Sequence, residues 1–194
     1  MKARPAARAT WALLALAACT QVPPLPVEPP AAPGRPIAVF DVDGTLTPAV
    51  LSIHDARPGA AAVTQAFARK GYAILYLTTR MPGFQVELPK WLDDNGFAPG
   101  WLQIAQTSEE RADPGGYKAG MLARYAALGW RLAYGYGDAS TDFQAYAAAG
   151  IPREHVLALR REGSSGCDAG AYRQCLTNWS AYLPYVEREV PPAK

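Results

Sequence analysis

The chain lacks any apolar run able to cross a bilayer as a helix. Its one such stretch near an end, Trp11 to Ala18, falls well short of the roughly 20 residues required. It also lacks a basic cluster of the kind nucleic-acid binding needs. The formal charge of +2 overstates its basicity. Lys2, Arg4 and Arg8 are three of the 19 basic residues, and no acid precedes residue 19. A chain beginning there carries 16 basic against 17 acidic side chains and is near neutral, at −1. Cysteine is scarce, at three residues, and there is no internal repeat. Lysine is sparse too: Lys118 is the only one between Lys90 and Lys194. From about Arg35 onward the length suits one domain.

What is present begins with an address. A basic start followed by the short apolar core Trp11–Ala18 fits a secretory signal. Leu16-Ala17-Ala18-Cys19 resembles the lipobox of bacterial lipoproteins, which implies cleavage before Cys19 and lipidation of that residue. An ordinary signal peptide, cut after a small residue, is the alternative. Thr20, where an Asp would favour retention at the inner membrane, implies by the same resemblance an outer-membrane destination facing the periplasm. Residues 19–35 are rich in proline and read as a semi-rigid tether that lifts the domain off the membrane. The expected division is a signal at 1–18, tether at 19–35, domain at 36–187 and tail at 188–194. In that oxidising compartment Cys167 and Cys175 are expected to pair, with two free thiols as the alternative.

The domain alternates strand and helix. Strands are expected at 37–41, 72–77, 101–105, 131–136 and 155–159. Helices are expected at 58–69, 84–95, 117–128 and 142–149, with a closing helix over 171–187. The pattern predicts an α/β fold with a mostly parallel sheet and helices on both faces. Ligands of such sheets bind beyond the carboxyl ends of the strands.

The chemistry collects at those ends. Phe40-Asp41-Val42-Asp43-Gly44-Thr45-Leu46-Thr47 follows the first strand and puts two carboxylates in one small volume. Such a pair can bind a divalent cation, attack phosphorus and move a proton. Thr78-Thr79-Arg80 ends the second strand and offers a hydroxyl and a guanidinium suited to phosphate. Lys118 offers an ammonium, although a solvated surface lysine is the commoner reading of any one lysine. Gly137-Asp138 ends the fourth strand, with Asp142 one helical turn on, where it could also be a helix N-cap.

In this order the four segments resemble the motifs of the haloacid-dehalogenase (HAD) superfamily, with its Rossmann-like fold. The resemblance implies Asp41 as nucleophile, Asp43 as acid/base, and Lys118 as a charge-neutralising catalytic residue. It implies Thr45, Thr78, Thr79 and Arg80 as substrate-binding residues. It implies Mg²⁺ held by Asp41, the Asp43 backbone carbonyl, Asp138 and Asp142. Thr47, Leu77-Thr78-Thr79-Arg80-Met81-Pro82-Gly83-Phe84-Gln85 and Gly96-Phe97-Ala98-Pro99-Gly100 narrow it to the lipin type. A related domain closes the membrane-associated phosphatidylinositol-transfer proteins. That similarity covers most of residues 36–162. Lipins act on phosphatidate, so a phospholipid phosphate becomes the expected substrate class, with small periplasmic phosphomonoesters or a non-catalytic phosphate-binding role as alternatives. About 25 residues separate Thr47 from the second strand, and a helix uses half of them, so no cap domain is expected. His54, His155, the tryptophans, Arg160 and Arg161 are expected to be structural or solvated.

Overall fold

The computed structural model describes residues 21–194, so the signal segment and Cys19 lie outside the described residues. Five strands expected from apolar runs are present: β1 (Pro36–Asp41), β2 (Ala73–Thr78), β3 (Trp101–Ile104), β4 (Arg131–Gly137) and β5 (Val156–Leu159). A sixth, β6 (Gln174–Leu176), completes the sheet in the order β3-β2-β1-β4-β5-β6, and every pairing is parallel. All six residues of β1 are buried, as expected for a central strand covered on both faces.

The helices divide between those faces. α1 (Ala60–Arg69), α2 (Leu88–Asp94) and the last helix, α6 (Trp179–Glu189), cover one core around Phe40, Tyr76 and Tyr136. α4 (Pro114–Ala127) and α5 (Ser140–Ala148) cover the other, around Val39, Leu75 and Leu77. Strand periodicity sends Asp41 to the same face as Val39, toward α4 and α5. Register does the rest. Asp41 pairs with Leu77, and Phe40 pairs with Tyr136, so Thr78 and Asp138 emerge at about the level of Asp41.

Several expected boundaries moved for local reasons. The helix expected over 84–95 is a 3-10 turn at Pro82–Phe84 followed by α2, because Pro82 and Pro89 each fit the opening positions of a helix. A short α3 (Ser108–Ala112) precedes α4, with a capping box between Thr107 and Glu110. α4 starts at Pro114, where the Asp113 carboxylate accepts the Gly116 N–H, so Lys118 lies one turn in. The helix expected from Ala171 does not form. Residues 174–176 join the sheet instead, and the helix begins only after Asn178, whose side chain caps the Ala181 N–H. It then continues through Pro184 and buries Trp179, Tyr182 and Val186 on one stripe. Cys167 and Cys175 are bridged, with Cα atoms 5.8 Å apart, which ties the approach to β6 into a short loop.

Residues 21–35 and the C-terminal segment 188–194 both pack on the domain. The expected tail is docked: Val190 is buried, the Lys70 ammonium donates to the Val190 carbonyl and the Ala193 N–H to the Lys70 carbonyl. The proline-rich segment is no free spacer either. Val22 packs on the first core and Val27 on the second, so it straps the outer edge of β3.

Trp179 anchors α6 against Phe40 and Tyr136, and its indole N–H donates to the Thr45 carbonyl at 3.0 Å. It is fully buried. Trp179→Ala is therefore expected to cost about 3–5 kcal/mol. Chemical denaturation should show a lower midpoint at unchanged slope, and a change under 1 kcal/mol would contradict this packing role.

Candidate active site

The carboxyl ends of β2, β1 and β4 lie side by side, where the strand order reverses direction. Asp41 ends β1. Gly44 turns the chain with φ 87°, and a Cβ there would stand 2.1 Å from an Asp138 oxygen. Glycine is needed both for the turn and for that approach. The loop beyond is held from inside. Thr47 Oγ1 accepts the Gly44 N–H and donates to the Ala49 carbonyl. The buried Arg57 donates to the carbonyls of Gly44, Thr47, Pro48 and Arg160.

Three carboxylates and one ammonium meet under this loop. Lys118 reaches in from α4 and donates to Asp41 Oδ1 at 2.6 Å and to Asp142 Oδ1 at 2.5 Å. Burial works against its charge, but the Asp142 and Asp41 carboxylates more than offset this and raise its pKa. The lysine is thus a buried ion-pair partner and not a surface charge. Asp142 is the third residue of α5, and its other oxygen accepts the N–H groups of Asp138 and Ala139. It stabilises the helix start from inside the first turn, so the N-cap position itself falls to Ala139. Asp41, Asp138 and Asp142 offer oxygens within 4.8 Å of one another.

The carboxylates of this cluster outnumber the cations that reach it. Burial pushes Asp41 well above the usual carboxylate range; Lys118 opposes the rise, while Asp142 and Asp138 add to it. Burial and Asp142 also raise Asp138, against the pull of Arg161. Asp41 Oδ2 is buried with no hydrogen-bond partner. An orphaned carboxylate oxygen among neighbouring oxygens fits a hard divalent cation.

The predicted phosphate-binding residues are engaged differently. Asp43 turns toward β2: Thr78 donates to its Oδ2 at 2.7 Å, and Arg80 donates to its Oδ1 from Nε at 2.9 Å and Nη2 at 2.5 Å. Arg80 is therefore a partner of Asp43 in this state and not a free clamp. The Asp43 carboxylate is not among the clustered metal-binding groups, which leaves its backbone carbonyl for a cation. Thr45 is buried, and its hydroxyl faces Asp138 Oδ1 at 3.4 Å, while Thr79 is half-buried at the strand end. Gln85 holds the turn by donating to the carbonyls of Arg80 and Ala105.

Arg161 was expected to be solvated. Its Nε instead donates to Asp138, and its Nη1 lies 3.6 Å from Asp168 in the disulfide loop. Arg57 and Arg161 carry no motif. Arg57 binds carbonyls, and Arg161 meets Asp138 only through the fold. His155 stacks on Tyr134 at 4.6 Å, a structural role, whereas the exposed His54 lines a cleft with Arg80, Phe84 and Trp91.

Fold and site together define a domain of the HAD-phosphatase class. A family model for the LNS2 domain of PITM 1-3 matches residues 38–160, and the chain belongs to that family. No curated protein matches. Among solved structures, a protein of Mesorhizobium loti assigned as a HAD-like phosphatase aligns with a TM-score of 0.58 at 18% identity. It covers 82% of this chain and 91% of its own. D,D-heptose 1,7-bisphosphate phosphatase of Burkholderia thailandensis aligns with a TM-score of 0.48 at 16% identity, covering 80% of this chain and all of its own. The first similarity supports the fold; the second is too distant to argue from.

If Lys118 neutralises this cluster, its loss must leave unpaired buried charge. Lys118→Met is expected to destabilise the metal-free protein by about 3–5 kcal/mol at neutral pH. An acid whose folded pKa is raised contributes stability that is present at low pH and lost as pH rises through that pKa. The deficit should therefore shrink as pH falls, because burial lets Asp41 take up a proton above the usual carboxylate range and the loss of Lys118 raises it further. Urea titrations across pH test this, and a deficit that does not change with pH would contradict it.

Proposed function

We propose that the chain is a Mg²⁺-dependent phosphomonoester hydrolase working through an aspartyl-phosphate intermediate. The observation that carries this reading is Asp41 itself: a strand-end carboxylate with one oxygen on Lys118 and the other buried and unpartnered. Asp41, Asp138 and the Asp43 carbonyl would hold the cation, with Asp142 behind them. A bound Mg²⁺ would neutralise charge on the carboxylates and on the phosphoryl oxygens.

The chain's own groups supply the rest. The Asp41 carboxylate attacks phosphorus, and the bond from phosphorus to the leaving oxygen breaks. Asp43, released from Arg80 and protonated from solvent, gives that proton to the leaving oxygen. Water then attacks the phosphorus of the acyl phosphate, Asp43 takes the water's proton, and inorganic phosphate leaves Asp41. Lys118 holds its charge throughout and stabilises the negative charge that develops nearby. Asp43 begins paired with Arg80 and Thr78. When it rotates toward the leaving group, the Arg80 guanidinium and Thr78 hydroxyl are freed together to meet phosphoryl oxygens.

Among the described residues, the segments between strands carry only short crossover helices, or a loop between β5 and β6, and none adds a cap. An uncovered site tolerates a phosphate on a large body. Together with the proposed lipid anchor at Cys19, this favours a phospholipid phosphate such as phosphatidate, at the periplasmic side of the outer membrane.

The purified chain should hydrolyse a generic aryl phosphate when Mg²⁺ is added. Asp41→Asn should abolish turnover, and Asp43→Asn should reduce it by roughly 10²–10⁴-fold. No turnover by the parent, with Asp43→Asn indistinguishable from it, would mean the site only binds. A panel of phosphatidate micelles against nucleotides and sugar phosphates then assigns the substrate; preference for the soluble esters would overturn the lipid reading. Independently of activity, Mg²⁺ at about 100 times its Kd should stabilise the fold by about 2.7 kcal/mol. Asp138→Asn should lose most of that gain in a thermal melt.

A further inference from the structure

Among the described residues, seven large hydrophobic side chains are exposed, and five stand on two loops: Val50 and Leu51 between β1 and α1, and Met81, Phe84 and Val86 between β2 and α2. Leu51 is 87% exposed and Met81 65%. Both loops leave the carboxyl ends of adjacent parallel strands, so these tips rise from the face that carries Asp41. A cleft of ≈ 610 Å³ joins them, lined by Ile53 and His54 from one loop and Arg80, Phe84 and Val86 from the other. Single exposed hydrophobics are ordinary, but a group at the mouth of a cleft marks a contact surface.

The path of the N-terminal strap indicates what that surface meets. At its far end the Gly34 N–H donates to the Gly129 carbonyl, just before β4 begins. The Glu28 carbonyl then accepts the Trp130 indole, and the Leu25 carbonyl the Gln103 amide on β3. Finally the Gln21 amide donates to the Gln106 carbonyl, beyond the carboxyl end of β3. The strap therefore runs opposite to the strands and delivers residue 21 to the catalytic end of the sheet. A free polyproline spacer of that length could stand the domain roughly 50 Å from its anchor. From Gln21, the two residues back to Cys19 can span at most about 7 Å. The apolar run Trp11–Ala18 precedes them in sequence.

We propose that the rim formed by Val50, Leu51, Met81, Phe84 and Val86 docks on a lipid bilayer, with the strap fixing the domain so that its catalytic face points into the membrane surface. Apolar tips on two loops suit the boundary between headgroups and acyl chains, where side chains can insert without forming a spanning segment. A phosphate on a lipid headgroup would then lie at the cleft without leaving the bilayer. This deepens the phosphatase reading but does not need it: the docking can be measured without turnover.

The test uses the full chain carrying Cys19→Ser. Leu51→Cys, Phe84→Cys or Glu154→Cys is added singly and labelled with an environment-sensitive thiol fluorophore. Glu154 is exposed just before β5, at the opposite end of the sheet. With phosphatidylcholine vesicles, emission at 51 and 84 should shift to the blue while that at 154 stays solvent-like. No shift at 51 and 84, or an equal shift at 154, overturns the docking. A shift that appears without vesicles and grows with protein concentration assigns the rim to a second copy and also overturns it. In a separate assay on the unlabelled full chain, Leu51→Asp should lower turnover of a vesicle-borne phosphomonoester roughly tenfold, the order expected from losing one buried large apolar side chain. Turnover of a soluble aryl phosphate should be unchanged, and equal losses on both would overturn the rim's role. If the parent turns over neither substrate, the phosphatase reading fails, while the fluorescence still decides the docking.

Discussion

The Lys118 ammonium, held between Asp41 and Asp142, is the interaction on which the site depends. Three carboxylates at the ends of β1 and β4 and the start of α5 cannot share a buried volume unless positive charge enters it. A long side chain from a neighbouring helix brings that charge to Asp41 and Asp142 without opening the sheet. The crossover from β3 to β4 runs on the face that carries Asp41 and lays α4 beside α5, which puts Lys118 within reach. The topology and the ion pair are one requirement seen at two scales.

Each carboxylate has a cation, and the set still falls short. Lys118 serves Asp41 and Asp142, Arg80 serves Asp43, and Arg161 serves Asp138. Four carboxylates thus face three cations. Burial, with the neighbouring carboxylates adding to it, raises the pKa of Asp41 and Asp138, and one Asp41 oxygen is left without a partner. Arg57 does not make up the difference, because its hydrogen bonds are spent on four backbone carbonyls of the loop above. It shapes the loop and leaves the charge deficit for a ligand. On the proposed mechanism Arg80 and Arg161 would be the exchangeable members, since each pairs with a group that substrate or cation would engage.

What was legible in the sequence follows from range. Asp41, Thr78 and Asp138 each end an apolar run, so local pattern alone placed them at strand ends, and parallel pairing brought the ends together. Lys118 was legible through its isolation and its order in the chain. Arg161 was not, because its partner Asp138 is 23 residues away and meets it only once β5 and the disulfide loop are in place. The closing segment misled for a related reason. Ala171 to Leu176 resembles helix in composition, but its position beside β5 offers backbone hydrogen bonds to a strand, and these prevail. Asp43 lies in the loop after β1 as expected, yet its carboxylate turns to Thr78 and Arg80 and is not part of the Asp41–Asp138–Asp142 group, a rotamer choice that no sequence pattern encodes.

The proline-rich segment shows how composition can name a conformation and miss its use. Proline disfavours regular structure, so an extended strap is the expected backbone, whether or not it lies on the domain. What decides is the edge of β3, which would otherwise present unpaired backbone groups and apolar residues on both sides. A segment poor in N–H donors can cover such an edge without adding a strand to it, while Val22 and Val27 reach around to either core. The opposite edge needs no strap because β6 is only three residues long. Protecting the β3 edge fixes the direction of the N-terminal chain, and that direction carries it to the end of the sheet where Asp41, Thr78 and the apolar loop tips lie. A feature that guards the fold against edge pairing thereby also orients the site.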